Sequence, residues 1–362
     1  MRNGPALKPA LKDVEEALAL PLDRLAAHLG AQGLNLDCDV PVRQFAHGFG
    51  NVNYLLSVDG AKMVLRRPPL GPIPPGGNDM KREYTVLSVL WRAYPYAPKG
   101  MYFCGDESVI GAPFQLIEYR EGLVIGAEMP PELAGKPEAG AKLGGELVRL
   151  MAEFHAVDSE AIGLGQFGKP EGFLERTLAG WVKRCRLAME GPAPHHPTKA
   201  FAELVAWLEG QKVPPSAVTL LHNDFKLDNV ILNPETLDPV AVLDWDMATR
   251  GDPLFDLAIM LAYWTEAGDP PAMHELKQMP TAGPGFPKRR DLVTGYGVIS
   301  GRDVSDMLYY RVLGMLRLAG IFLQLNRRWR EGGTKDRRFA DFGTLADGLI
   351  EFGWDIARGK AF

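Results

Sequence analysis

Cysteine is scarce in this 362-residue chain. Cys38, Cys104 and Cys185 are odd in number, far apart and outside any CxxC spacing. That excludes a disulfide framework and a cysteine zinc site and leaves buried, reduced thiols. A basic excess is missing as well. The 40 Lys and Arg against 45 Asp and Glu give a net charge of -5, which argues against a nucleic-acid partner. The longest apolar stretch, Leu254 to Trp264, is too short to span a bilayer and contains Asp256. The opening Met1-Arg2-Asn3-Gly4-Pro5 runs into the charged Lys12-Asp13-Val14-Glu15-Glu16 without a signal-type apolar core. There is no internal repeat and no low-complexity tail. The expectation is a cytoplasmic protein with neither a membrane nor a nucleic-acid partner. The 46% hydrophobic and 23% charged residues are those of a folded globular chain. The length suits two lobes, each with its own core.

The first third reads as strands with one helix inserted. Leu18, Leu22, Leu25 and Leu29 recur at helical spacing, so residues 9–30 are expected to be helical, divided at Pro21 and stopped at Gly30. Strands are expected at Val40–Ala46, Tyr54–Val58 and Lys62–Arg67, with Asp59-Gly60 as the hairpin turn between the last two. The Pro/Gly-rich run 68–77 is a loop. Helical periodicity returns over Asp79–Tyr94, and strands follow at Met101–Cys104 and Pro113–Tyr119. Beyond Glu121-Gly122 the pattern is mostly helical, with a convincing helix over Lys142–Val157. Strand-like runs break it at Val218–Leu221, Val230–Leu232 and Val240–Leu243.

The chemistry concentrates around those last three runs. Leu221-His222-Asn223-Asp224-Phe225-Lys226-Leu227-Asp228-Asn229 follows one strand, and Asp244-Trp245-Asp246 ends another. Phosphoryl transfer asks the protein for a carboxylate that orients a hydroxyl and accepts its proton, and for oxygen ligands to a metal bridging the phosphates. Asp224 suits the first task. Asn229 and Asp244 are hard oxygen donors that suit magnesium. Lys226, two residues beyond Asp224, suits a place near the transferred group. The competing explanations are ordinary ones. Asp and Asn favour turns in any fold, and His222 is better read as a residue holding the loop than as an acid or base. Asp246 is either a second metal carboxylate or a turn residue. Asp252 and Asp256 read as helix-capping or loop-bracing residues.

The 222–229 segment resembles the H-G-D-F-x-x-x-N loop of aminoglycoside phosphotransferases. Asp244-Trp245-Asp246 resembles their D-W-E/D. Gly251-Asp252-Pro253-Leu254-Phe255-Asp256-Leu257-Ala258 resembles their G-D-P-x-x-D-L-A. The order and short separations match as well. The resemblance covers about Val40 to Trp264. The run Leu65-Arg66-Arg67-Pro68-Pro69, with Asp79-Met80-Lys81-Arg82-Glu83-Tyr84, is most similar to the kinase domains associated with acyl-CoA dehydrogenases.

The resemblance implies an α+β, protein-kinase-like fold of two lobes: a small five-stranded antiparallel lobe with one helix over residues 1–119, and a larger, mainly helical lobe over 120–362. It implies magnesium and ATP, or GTP, as cofactors and a small-molecule hydroxyl as acceptor. Gly48-Phe49-Gly50-Asn51-Val52-Asn53 would close over the phosphates, with Asn53 in place of the third glycine of G-x-G-x-x-G. Arg66 stands where kinases carry lysine and keeps the positive charge, with a bidentate grip. Arg67 should face the other way along the strand. Glu83 would be the ion-pair partner of Arg66, and Glu118 and Tyr119 would belong to the adenine-binding strand end. His155 is structural. Two alternatives remain beside this reading. The intact Asp224, Asn229 and Asp244 weigh against a nucleotide-binding pseudoenzyme, and the D-W-D and the missing A-P-E weigh against a protein kinase.

Overall fold

The computed structural model describes residues 11–12, 17–46, 50–70, 78–191, 193–215, 217–334 and 336–362. Gly48 and most of the Pro/Gly-rich loop at 71–77 lie outside the described residues. In chain order the elements are α1 (Leu22–Ala31), β1 (Arg43–Gln44), β2 (Val52–Val58), β3 (Ala61–Arg67), α2 (Met80–Leu90), β4 (Gly100–Cys104), β5 (Phe114–Glu118), β6 (Leu123–Val124), α3 (Pro137–His155), α4 (Phe173–Met189), α5 (Lys199–Gly210), β7 (Thr219–Leu221), β8 (Val230–Leu232), β9 (Pro239–Val242), β10 (Thr249–Gly251), α6 (Pro253–Tyr263), α7 (Pro271–Glu275), α8 (Arg289–Ser300), α9 (Met307–Arg330) and α10 (Phe342–Ala357).

These elements divide into two compact units. Unit 1 takes residues up to Val124, then Asp158–Gln166 and Asn229–Ala248. Its antiparallel sheet has the order β1-β2-β3-β5-β4. β2 and β3 join through Asp59-Gly60, where both residues take positive φ (51° and 75°), as a two-residue hairpin requires. Helix α1 lays Leu25 and Leu29, one turn apart and both fully buried, onto a core that includes Tyr54, Leu56, Leu65, Phe114 and Leu116. Helix α2 starts where the Asp79 carboxylate accepts the Arg82 N–H at 3.0 Å. A second antiparallel sheet, β6-β8-β9, completes the unit.

The expected helix ahead of Pro21 is corrected at residues 11–12 and 17–20, which are not helical; residues 9–10 and 13–16 lie outside the described residues. Leu11 bridges Phe45, and the Lys12 N–H donates to the Gln44 carbonyl at 2.9 Å. Leu18 meets the same strand from outside any helix, its N–H donating to Gln44 Oε1 at 2.7 Å, and α1 begins only at Leu22, just after Pro21.

Unit 2 takes residues 125–157, 167–228 and 249–362. It is a helical assembly in which α9 packs with α4, α6 and α10, and it holds the short antiparallel pair β7-β10. Helix α6 is buried along its whole length, which accounts for its unbroken apolar sequence. Helix α9 alone among the described helices is long and apolar enough to cross a membrane, and 78% of its apolar window is buried inside the protein.

Candidate active site

The charged residues of unit 1 converge through β3, α2 and the turn after β9. Arg66, near the end of β3, donates from Nε to Glu83 Oε2 at 2.9 Å and from Nη2 to Asp244 Oδ1 at 2.7 Å. Arg67 points elsewhere, donating to the carbonyls of Ile110 and Pro68, as strand alternation requires. Glu83 comes from the first turn of α2 and is fully buried. Its carboxylate also accepts from Gln115 Nε2 at 2.5 Å and from the Trp245 N–H at 3.4 Å. Burial by itself would lower the Arg66 pKa. The carboxylates of Glu83, Asp244 and Asp246 outweigh it and hold the guanidinium above its ordinary value. Burial pushes Glu83 upward, and Arg66 draws it back part of the way.

Asp244 reaches Arg66 from a left-handed backbone, φ 70°, a conformation in which Asp is better tolerated than most residues. Asn229 and Asp244 lie close together because the Leu243 N–H donates to the Asn229 carbonyl at 2.8 Å across β8 and β9. Asp246 accepts from Asn51 Nδ2 at 3.5 Å, and Asn51 in turn accepts from Asn78 Nδ2 at 2.9 Å. The structure thus gathers Asn51, Arg66, Glu83, Asp244 and Asp246 into one cluster. Asn53 stands opposite Arg66 on β2, and Gln115 stands opposite it on β5. Each keeps a buried carbonyl oxygen without a partner, Asn53 Oδ1 and Gln115 Oε1. Gly50 is exposed, and a Cβ there would meet Asn78 at 3.2 Å.

Glu118 stands apart from this cluster. Its carboxylate pairs with Arg120 at 3.0 Å and accepts the Lys99 N–H at 3.2 Å. Tyr119 lies beneath the Lys62 ammonium, 5.4 Å from the ring centre.

No group of three or more His, Cys, Asp or Glu side chains suited to a metal occurs among the described residues. Magnesium does not ask for one. It keeps several waters and takes one or two protein oxygens beside phosphate oxygens. Asn229 and Asp244 fit that demand.

In unit 2 the segment after β7 turns sharply, with Asn223 at φ 64°. Two successive backbone N–H groups, of His222 and Asn223, donate to Asp256 Oδ2 and Oδ1, each at 2.7 Å. Asp256 sits in the first turn of α6 and is fully buried. His155, at the end of α3, lies 3.2 Å from Asp256 Oδ2 through Nε2 and 2.8 Å from the Tyr296 hydroxyl through Nδ1. Burial would raise the Asp256 carboxyl, but the bonds from His155 and the His222 amide leave it below its usual range. His222 is buried, and its Nδ1 accepts the Asp224 N–H at 3.2 Å. Both histidines and Asp256 therefore brace the loop. Asp252 caps α6, accepting the Leu254 N–H at 2.8 Å and the Tyr310 hydroxyl at 3.0 Å.

The Asp224 side chain remains 23% exposed. Lys226 lies 3.6 Å from Asp224 Oδ2 and 2.7 Å from Asp228 Oδ2. Burial would lower the Lys226 pKa, but the two carboxylates overcome it and keep the ammonium charged. Sequence reasoning passed over Asp228 and Gln115. The position of Asp228, two residues from Lys226, was a visible signal; Gln115 gave none, because its role rests on pairing between β5 and β3.

The model of the phosphotransferase enzyme family (APH) matches residues 41–292. The chain belongs to this family. Mouse acyl-CoA dehydrogenase family member 10 is 28% identical over 358 residues, covering 98% of this chain and 33% of that protein. Chicken acyl-CoA dehydrogenase family member 11 is 27% identical, covering 89% of this chain and 41% of that protein. The chain thus spans a third to two fifths of these relatives. A solved structure from Ralstonia eutropha, described as an aminoglycoside phosphotransferase, superposes with TM-score 0.77 at 27% identity, covering 94% of this chain and 99% of that one. The aminoglycoside phosphotransferase APH(4)-Ia, solved with ADP and hygromycin B, shares the fold at 17% identity and TM-score 0.55, covering 93% and 98%. The fold is accordingly the α+β, protein-kinase-like fold of this phosphotransferase family.

Proposed function

We propose that this phosphotransferase moves the γ-phosphoryl group of magnesium-ATP to a hydroxyl of a small molecule. The observation that carries the reading is the Asp224 loop. It is pinned through two backbone amides to a buried carboxylate, and it presents a partly exposed Asp224 beside a charged lysine. Such a loop holds its carboxylate at one orientation, as a base that must meet an acceptor proton needs.

Asp224 orients the acceptor hydroxyl and takes its proton as the oxygen bonds to the γ-phosphorus. The bridging bond to the β-phosphate breaks, and ADP leaves. Lys226 offsets charge on the transferred group. Arg66, fixed by Glu83, is the cation for the nucleotide phosphates, with Gly48, Gly50, Asn51 and Asn53 contributing the covering turn. Glu118 and Tyr119 border the adenine. Asn229 and Asp244 would hold magnesium, which when bound neutralises charge developing on the phosphates. The solved relative that holds ADP and hygromycin B supports a nucleotide donor and a hydroxyl-bearing acceptor.

The test is Asp224→Ala, assayed for phosphate transfer from ATP to a panel of hydroxyacyl-CoAs, amino sugars and amine alcohols. Loss of transfer with retained nucleotide binding is expected. Full transfer by the variant would sink the assignment.

A further inference from the structure

Arg317 lies in the middle of α9 and is 5% exposed, while its neighbours Leu313, Met315, Leu316, Leu318 and Ala319 are fully buried apolar residues. A guanidinium in such a place is costly unless its donors are used. Two glycines flank it at i-3 and i+3. A Cβ at Gly314 would meet the Ala258 carbonyl of α6 at 2.9 Å. A Cβ at Gly320 would meet Cys185 Sγ and the Trp181 ring of α4, each at 2.9 Å. Close approach of α9 to both helices therefore depends on side chains these two positions lack.

That approach brings Arg317 to the catalytic loop. Its Nη2 donates to the Asn223 carbonyl at 2.6 Å. Its guanidinium also lies over the Trp181 ring, 5.7 Å from the centroid. The Asn223 carbonyl belongs to the peptide that joins Asn223 to Asp224. Asp256 holds the amides on the near side of this turn, and Arg317 holds the carbonyl that opens onto Asp224. Tyr263, at the end of α6, is buried, and burial first and then the charge of Asp224 push its phenol up, while the charge of Arg317 draws it down.

We propose that Arg317 is a positioning residue for phosphoryl transfer: it fixes the peptide plane that carries Asp224 and so the direction of its carboxylate. This rests on the reading of Asp224 as the base.

The test uses the full chain, with magnesium-ATP turnover measured with water as acceptor and magnesium–AMP-PNP binding measured by calorimetry. Arg317→Met should lower kcat about 10- to 100-fold, the worth of one charge-assisted hydrogen bond. KM for ATP and AMP-PNP affinity should stay within about threefold, well short of the tenfold that 1.4 kcal/mol would give. Arg317→Lys, which keeps a charged donor, should recover much of the loss. Adding Arg317→Met to Asp224→Ala should cost nothing further, because the group being positioned is gone. Unchanged kcat in Arg317→Met, or a full additional loss on top of Asp224→Ala, overturns the proposal. Should Arg317→Met fail to fold, unchanged kcat in Arg317→Gln, which loses the charge and the reach to Asn223, overturns it instead. Asp224→Ala separates the two readings. If it retains turnover, the base assignment fails and this inference with it. If it loses turnover while Arg317→Met does not, only the inference fails.

Discussion

In unit 1 charged side chains hold one another. Arg66 is fastened between Glu83 and Asp244, and Asn51 between Asp246 and Asn78. In unit 2 a charged side chain holds the backbone, with Asp256 gripping the amides of His222 and Asn223. A side-chain network can exchange partners when a ligand brings charges of its own, at the cost of breaking one ion pair to form another. A carboxylate that satisfies two buried amides cannot exchange without orphaning them. Unit 1 thus holds its charges in a network that can rearrange, and unit 2 holds one loop still.

Four substitutions probe this contrast. The largest expected effect is on chemistry. Asp224→Ala should lower turnover by about two to four orders of magnitude, with nucleotide affinity nearly intact by calorimetry. Next comes Asp256→Ala, which leaves two buried amides and His155 without their acceptor. It should cost about 3–5 kcal/mol of stability in urea unfolding. A cost below about 1 kcal/mol would mean that the loop is held by something else. Asp244→Ala should weaken magnesium-dependent nucleotide binding and turnover together, and should cost less stability than Asp256→Ala because Arg66 keeps Glu83 as a partner. Preserved metal-dependent binding would remove Asp244 from the metal site. The smallest effect is the control: removing the exposed Lys62–Glu121 pair, 3.8 Å apart, should change stability by less than about 0.5 kcal/mol.

The contrast also has a pH signature. The Asp256 carboxyl is lowered in the folded protein, so its contribution to stability is fully present above the ordinary carboxylate range. It is lost as pH falls through the depressed folded value. Asp256→Asn should therefore flatten the acid limb of the stability curve measured by thermal unfolding between pH 5 and pH 2, and an unaltered limb would assign that limb to other groups.

Much of this site was legible from residues close together in the chain. Asp224, Lys226, Asn229 and Asp244 sit within about two dozen positions, and the Asp59-Gly60 turn announces the β2–β3 hairpin. The bracing roles of His155 and Asp256 were readable in outline because the D-L-A segment of α6 is part of the same motif run. The first expected helix failed for a physical reason. Leucine spacing records which residues want burial, and Leu18 packs against the α1–sheet core from a non-helical segment as well as it would from a helix. Arg317 and Gln115 left no signal, since a polar residue inside an apolar helix or strand is interpretable only once its neighbours are known.

By itself, the sequence determined the chemistry on offer and the order of the strands and helices, because motif spacing and hydrophobic period are local properties of the chain. The tertiary structure alone decided that residues 229–248 join the strands of unit 1, that Arg66 meets both Glu83 and Asp244, and that α9 comes close enough for Arg317 to reach Asn223. Those outcomes depend on contacts between positions tens to hundreds of residues apart, set by side-chain volume and the two small glycines of α9, and no local pattern records them.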